Sequence, residues 1–125
     1  ADSGGCEPAL VALTSPTSAG PFEFEARGVG STNLALPFLA HAYGDVPYLN
    51  GSLCLAGRLT RGPMGTLTGS GAPCGLSFRF SFPWSDLIQA GFAPGDRLYT
   101  QVLYRDVGGT PGVGITGALE AILVP

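Results

Sequence analysis

Residues 76–82 read LSFRFSF, and their spacing decides the fold. Successive side chains of an extended chain point to opposite faces, so Leu76, Phe78, Phe80 and Phe82 share one side while Ser77, Arg79 and Ser81 share the other. A strand with one apolar and one polar face belongs to a sheet that packs on a second layer and wets its outer surface. The strand read from Pro21 to Arg27 repeats the pattern in FEFEAR, with Phe22, Phe24 and Ala26 set against Glu23, Glu25 and Arg27.

Outward from these two segments the chain reads as further short strands: Ala9 to Thr14, Asn33 to Tyr43, Ser52 to Leu55, Gly65 to Thr68, Arg97 to Tyr104 and Gly114 to Val124. Between them GVGST, YGDVPYLNG, RGPMGTLTGSGAPCG and RDVGGTPGVG are rich in residues that supply positive φ or fix φ, and each is read as a loop. PWSDLIQAGF alone looks helical, with Ser85 placed to cap a short turn and Gly91 to end it. Strands at short intervals without intervening helices exclude a βαβ architecture. The expected fold is therefore all-β: a single domain, residues 1–125, forming a two-sheet antiparallel β-sandwich, immunoglobulin-like or jelly-roll-like, with one short helical turn. An orthogonal barrel carries the same local signals.

Composition agrees. With 45% apolar and 12% charged residues the chain is no disordered tail, and 20 glycines with 11 prolines argue against long helices. The net charge of −3 comes from nine acids and six arginines, spread singly as Arg27, Arg58, Arg61, Arg79, Arg97 and Arg105. Nucleic-acid binding needs a clustered positive field, which is missing here. No apolar run approaches the ~20 residues of a spanning helix. Ala1 reads as a trimmed start, and Cys6, Cys54 and Cys74 suit an oxidising, extracellular compartment, with all three pairings open on sequence alone. A Cys/His zinc set is excluded by one histidine and no CxxC pair.

Four segments carry a family resemblance: GSLCLAGRLTR (51–61), SGAPCGLSFRFSF (70–82), APGDRLYTQVLYRD (93–106) and GALEAILVP (117–125). In this order they resemble a β-sandwich module found near the C-terminus of large secreted planctomycete and myxobacterial proteins, which carries a GxLCLGG-like segment and a QxWYRD strand. Leu103 stands where that family usually has tryptophan, and Ala56 replaces one of the two glycines that follow LCL in the pattern. The resemblance implies a secreted bacterial accessory module without catalytic activity. It also implies a Cys6–Cys54 disulfide, leaving Cys74 as the free thiol.

The strand LYTQVLYRD (98–106) places Leu98, Thr100, Val102 and Tyr104 on one face and Tyr99, Gln101, Leu103 and Arg105 on the other. Apolar groups on both faces mark a central strand covered on both sides, or one whose outer face meets a partner. At its end Tyr104, Arg105 and Asp106 either close a turn or form the polar rim of a ligand groove.

Catalytic constellations find little support. His41 could pair with Asp45 or activate a serine, but no GxSxG accompanies it. Glu23 and Glu25 share a strand face with Arg27 and read as a solvated surface instead of a glycosidase pair. No cofactor is expected; a calcium site would have to be assembled from Asp45, Asp86, Asp96 and Asp106 in separate loops.

Sugar recognition, by contrast, needs aromatic faces and a few polar groups. Tyr43 and Tyr48 bracket YGDVPYLNG, and Trp84 stands at a strand end, where it serves either as a ligand platform or as a plug on the core. The expected function is non-catalytic binding of a polysaccharide or cell-surface glycan, with Trp84, Tyr48, Tyr43, Tyr104, Arg105 and Asp106 as ligand-binding candidates. The alternative is a structural or surface-anchoring domain that forms homo-oligomers through strand edges, which carry no lysine to protect them.

Overall fold

The computed structural model describes residues 5–30, 32, 34–48, 51–69, 74–105 and 113–125. Among the described residues nine strands and one helix follow in the order β1 (Ala9–Ala12), β2 (Phe22–Val29), β3 (Ala35–Tyr48), β4 (Gly51–Arg61), β5 (Thr66–Leu67), β6 (Leu76–Phe82), α1 (Trp84–Gln89), β7 (Arg97–Arg105), β8 (Val113–Ile115) and β9 (Leu119–Ile122). They form two antiparallel sheets, β1-β2-β6-β5 and β4-β3-β7-β8, with β9 also paired to β7. The expected sandwich is the fold.

The two phenylalanine strands are neighbours. Phe22 lies opposite Phe82, Phe24 opposite Phe80 and Ala26 opposite Phe78, so both apolar faces point the same way. Phe24 stacks on Phe80 with ring centroids 5.1 Å apart. Against this aromatic layer the second sheet sets Ala35, Leu39, Leu98, Val102 and Tyr104, and Leu87 and Phe92 close the core from the α1 side. Strand β7 is central, as its two-sided apolarity requires, with β3 on one flank and β8 and β9 on the other.

Helix α1 begins after Pro83, and no side chain caps it; Ser85 lies inside the first turn instead of at the cap. Proline sets the entry dihedral without needing a donor. The C-terminal end is as expected: Gly91 has φ +93°, its N–H donates to Ile88 O, and the Phe92 N–H donates to Leu87 O. This paired closure brings Phe92 back onto Leu87 in the core.

Further expectations are corrected. YGDVPY (43–48) is strand and not loop, because β3 continues through Tyr48, and β4 runs from Gly51 on to Arg61; Leu49 and Asn50 lie outside the described residues. Two bulges absorb the turn-forming residues, one in β4 between Ala56 and Leu59 and one in β3 between Tyr43 and Val46. The last strand is broken into β8 and β9, and the gap is bridged by Thr116: its N–H donates to Val102 O and its Oγ1 accepts from the Val102 N–H.

The disulfide joins Cys6 to Cys74, not Cys6 to Cys54, and Cys54 is the free thiol. Register explains the pairing. Ala9 of β1 lies opposite Arg27, and Leu76 of β6 lies opposite Val29, so both strands start at the same end of β2. Their preceding residues therefore meet, with Cys6 and Cys74 Cα atoms 5.5 Å apart, while Cys54 is held in the other sheet.

Candidate functional site

The candidate site lies on the face of the five-stranded sheet turned away from the core, where Gln101, Leu103 and Ile115 line a hollow. Beyond residue 41 the β3–β4 hairpin leaves β7, and its bulges bend it back over that face. Gln101 fixes the bend. Its Oε1 accepts from the Cys54 N–H at 2.7 Å, and its Nε2 donates to Ser52 O at 2.9 Å and to Thr116 O at 2.8 Å. One amide thus ties β4 to β7 and to the bridge after β8, and it is only 1% exposed.

Beside this clamp lies an apolar trough of about 230 Å³, lined by Phe38, Leu53, Leu55, Leu59, Leu103 and Ile115 together with Tyr48 and Gln101. Tyr48 and Leu59, 41% and 45% exposed, leave its mouth open to solvent.

Two residues before Gln101, Tyr99 occupies the same face of β7 and meets Tyr43, with ring centroids 5.9 Å apart and planes tilted by 56°. Tyr43 is 58% exposed. Glu120 lies directly opposite Tyr99 on β9, and Arg97, two residues earlier on β7, forms an ion pair with it. The Cys54 thiol beside Tyr43, and to a lesser degree Asp45, push its phenol pKa above the usual 10.0, so it remains a neutral hydrogen-bond donor well past neutral pH. The result is a rim of two aromatic rings flanked by a guanidinium and a carboxylate. It can stack an apolar ligand face and bond hydroxyl groups around it.

The chain matches no protein-family model, no curated protein and no solved structure.

The sequence-derived candidates separate in space. Tyr43 and Tyr48 are both on the β3–β4 hairpin, one at the rim and one at the trough. Trp84 packs half-buried against the core and lines none of the hollows described here. Tyr104 is buried in the core, and Arg105 is exposed beside a hollow of about 320 Å³ that both border with Leu34, Leu36, Leu103 and Val113. Asp106 lies outside the described residues. Tyr99, Arg97 and Glu120 were not among the candidates, because what joins them is the β7–β9 register and a ring contact from β3.

His41 has a structural task. Its ring stacks on Phe92 at 3.8 Å, and Nε2–H donates to the Ala90 carbonyl at 3.0 Å, pinning the end of α1 to β3. Among the described residues no three His, Cys, Asp or Glu side chains gather to hold a metal ion, and no helix is long and apolar enough to cross a membrane.

Glu25 is not the solvated carboxylate that alternation implies, being only 8% exposed. Arg27 Nε donates to it at 2.8 Å, Thr68 Oγ1 donates at 3.4 Å, and Arg79 lies 3.6 Å away. The Arg27 hydrogen bond chiefly holds its pKa below the ordinary 4.5, outweighing the opposing effect of burial. Because the folded pKa is lowered, this stabilisation is complete above 4.5 and is lost as pH falls through the folded value. Replacing Glu25 by Gln is expected to cost about 1–2 kcal/mol at neutral pH, a figure discounted because both arginines are half exposed. In urea unfolding the gap between wild type and variant should narrow as pH falls from about 5 to about 2.

Proposed function

We propose that the domain is a non-catalytic, secreted accessory module that binds a polysaccharide at the Tyr43–Tyr99 rim. The observation that carries this reading is the open tyrosine pair with the Arg97–Glu120 ion pair beside it on one face. Sugar rings have one face rich in C–H groups, which stacks on tyrosine, and an edge of hydroxyls, which needs donors and acceptors within reach. The neutral phenol of Tyr43, the guanidinium of Arg97 and the carboxylate of Glu120 provide both kinds. The Cys6–Cys74 disulfide suits an oxidising compartment, in keeping with secretion.

Assembly through strand edges draws less support. Edge strand β4 is interrupted by the bulge containing Gly57 at φ +76° and carries Arg58, while edge strand β5 has two residues. Bulges, charge and short length are the features by which sheet edges resist pairing with other chains.

The test is retention on insoluble cellulose, xylan, chitin and mannan. The wild type should be held by at least one polymer, and Tyr99→Ala and Tyr43→Ala should each weaken that retention about tenfold while circular dichroism shows the fold intact. Absence of retention on all four, or undiminished retention in both variants, would overturn the reading.

A further inference from the structure

The rim accounts for hydroxyl groups and for the face of a sugar ring, but it leaves the trough unused. Among the described residues that line the trough floor, none has a side chain free to bond a hydroxyl: the Gln101 amide is engaged with Cys54, Ser52 and Thr116. The remaining lining is aliphatic or aromatic apart from the Tyr48 hydroxyl at the mouth. A cavity of about 150 Å³ lined by apolar side chains is known to hold a benzene ring, so about 230 Å³ takes an aryl group or a short alkyl chain. Tyr99 and Leu103 lie on the same face of β7 four residues apart, a span of about 13 Å at the usual strand rise. A single ligand that bridges them must therefore be polar at one end and apolar at the other.

We infer that the glycan recognised at the rim carries an apolar substituent, an acyl or aryl group of about six carbons, which seats in the trough between Leu103 and the bent β3–β4 hairpin. This rests on the polysaccharide reading given above. The ligand class is then an acylated or aryl-substituted glycan, and the hairpin clamp held by Gln101 sets the distance between its two ends.

The probes are the methyl and n-hexyl glycosides of the sugar that composes the retained polymer, with n-hexanol alone as a third, all titrated calorimetrically. The hexyl glycoside should bind at least tenfold more tightly than the methyl glycoside, since each seated methylene contributes about fourfold. Leu103→Trp fills the trough and Leu59→Arg places a charge at its exposed mouth; either should abolish that gain and leave methyl glycoside affinity unchanged. Equal affinities for the two glycosides, or a gain that persists in both variants, would overturn the inference while leaving the rim reading intact. Binding of n-hexanol with no binding of either glycoside would instead overturn the rim reading, and this inference with it.

Discussion

Cys6→Ser is expected to lower the unfolding free energy by about 4 kcal/mol. The bond closes a loop across a sequence separation of 68 residues, and a crosslink of that span removes on the order of 4 kcal/mol of chain entropy from the unfolded state. That is a large part of the ~5–15 kcal/mol available to a domain. It also ties the segment before β1 to the segment before β6, fixing both flanks of β2 in register. Cys74→Ser should match Cys6→Ser, whereas Cys54→Ser should change stability by less than about 1 kcal/mol, because Cys54 bonds to Gln101 through its backbone N–H and not its sulfur. Urea unfolding of the three single variants reads all of this directly. A large loss from Cys54→Ser with little from Cys74→Ser would restore the Cys6–Cys54 pairing that the family resemblance implies.

Gln101→Leu should be nearly as damaging, at about 3 kcal/mol, although it conserves shape and adds apolar surface. The substitution strands the Cys54 N–H and the Thr116 carbonyl and leaves the Ser52 carbonyl only its weak contact from the Cys54 thiol, and each buried polar group left without a partner costs about 1–3 kcal/mol, less where water can reach it. Gln101→Glu keeps the acceptor for Cys54 but loses both donors, so it should not rescue. The bent hairpin would then loosen from β7, and Tyr43 with it, so polysaccharide retention should fall further than stability alone explains. Unfolding in urea beside retention at a temperature where both proteins are folded separates the two effects. A Gln101→Leu variant within about 0.5 kcal/mol of wild type would show that the amide does not hold the hairpin.

Much of the architecture was legible because side-chain period and solvent contrast are local. Phe22, Phe24, Phe78, Phe80 and Phe82 announce a buried face in two short stretches, and Leu98 to Leu103 announce a covered central strand. What escaped depends on partners distant in sequence. Gly44, Asp45 and Pro47 read as loop residues, yet the compensating bulges of β3 and β4 accommodate them within a paired hairpin. Glu25 alternates onto the wet face, but Arg27, Arg79 and Thr68 close around it from its own strand, from β6 and from beyond β5. The disulfide is decided by two registers on β2, which no cysteine spacing encodes. At the candidate site Tyr43 and Tyr48 were visible as aromatics among turn residues. Tyr99, Arg97 and Glu120 were not, since a single strand does not show which residue its neighbour sets opposite.

The most direct measurement is a two-dimensional NMR titration of the ¹⁵N-labelled domain with a soluble oligosaccharide of the polymer that retains it. Binding at the tyrosine rim predicts that the largest amide shifts fall on Tyr43, Tyr99, Arg97 and Glu120, with Trp84 and the α1 helix little changed. Shifts centred on Trp84 to Gly91, or on the Glu23 and Arg79 face of the other sheet, with none at Tyr99, would contradict it.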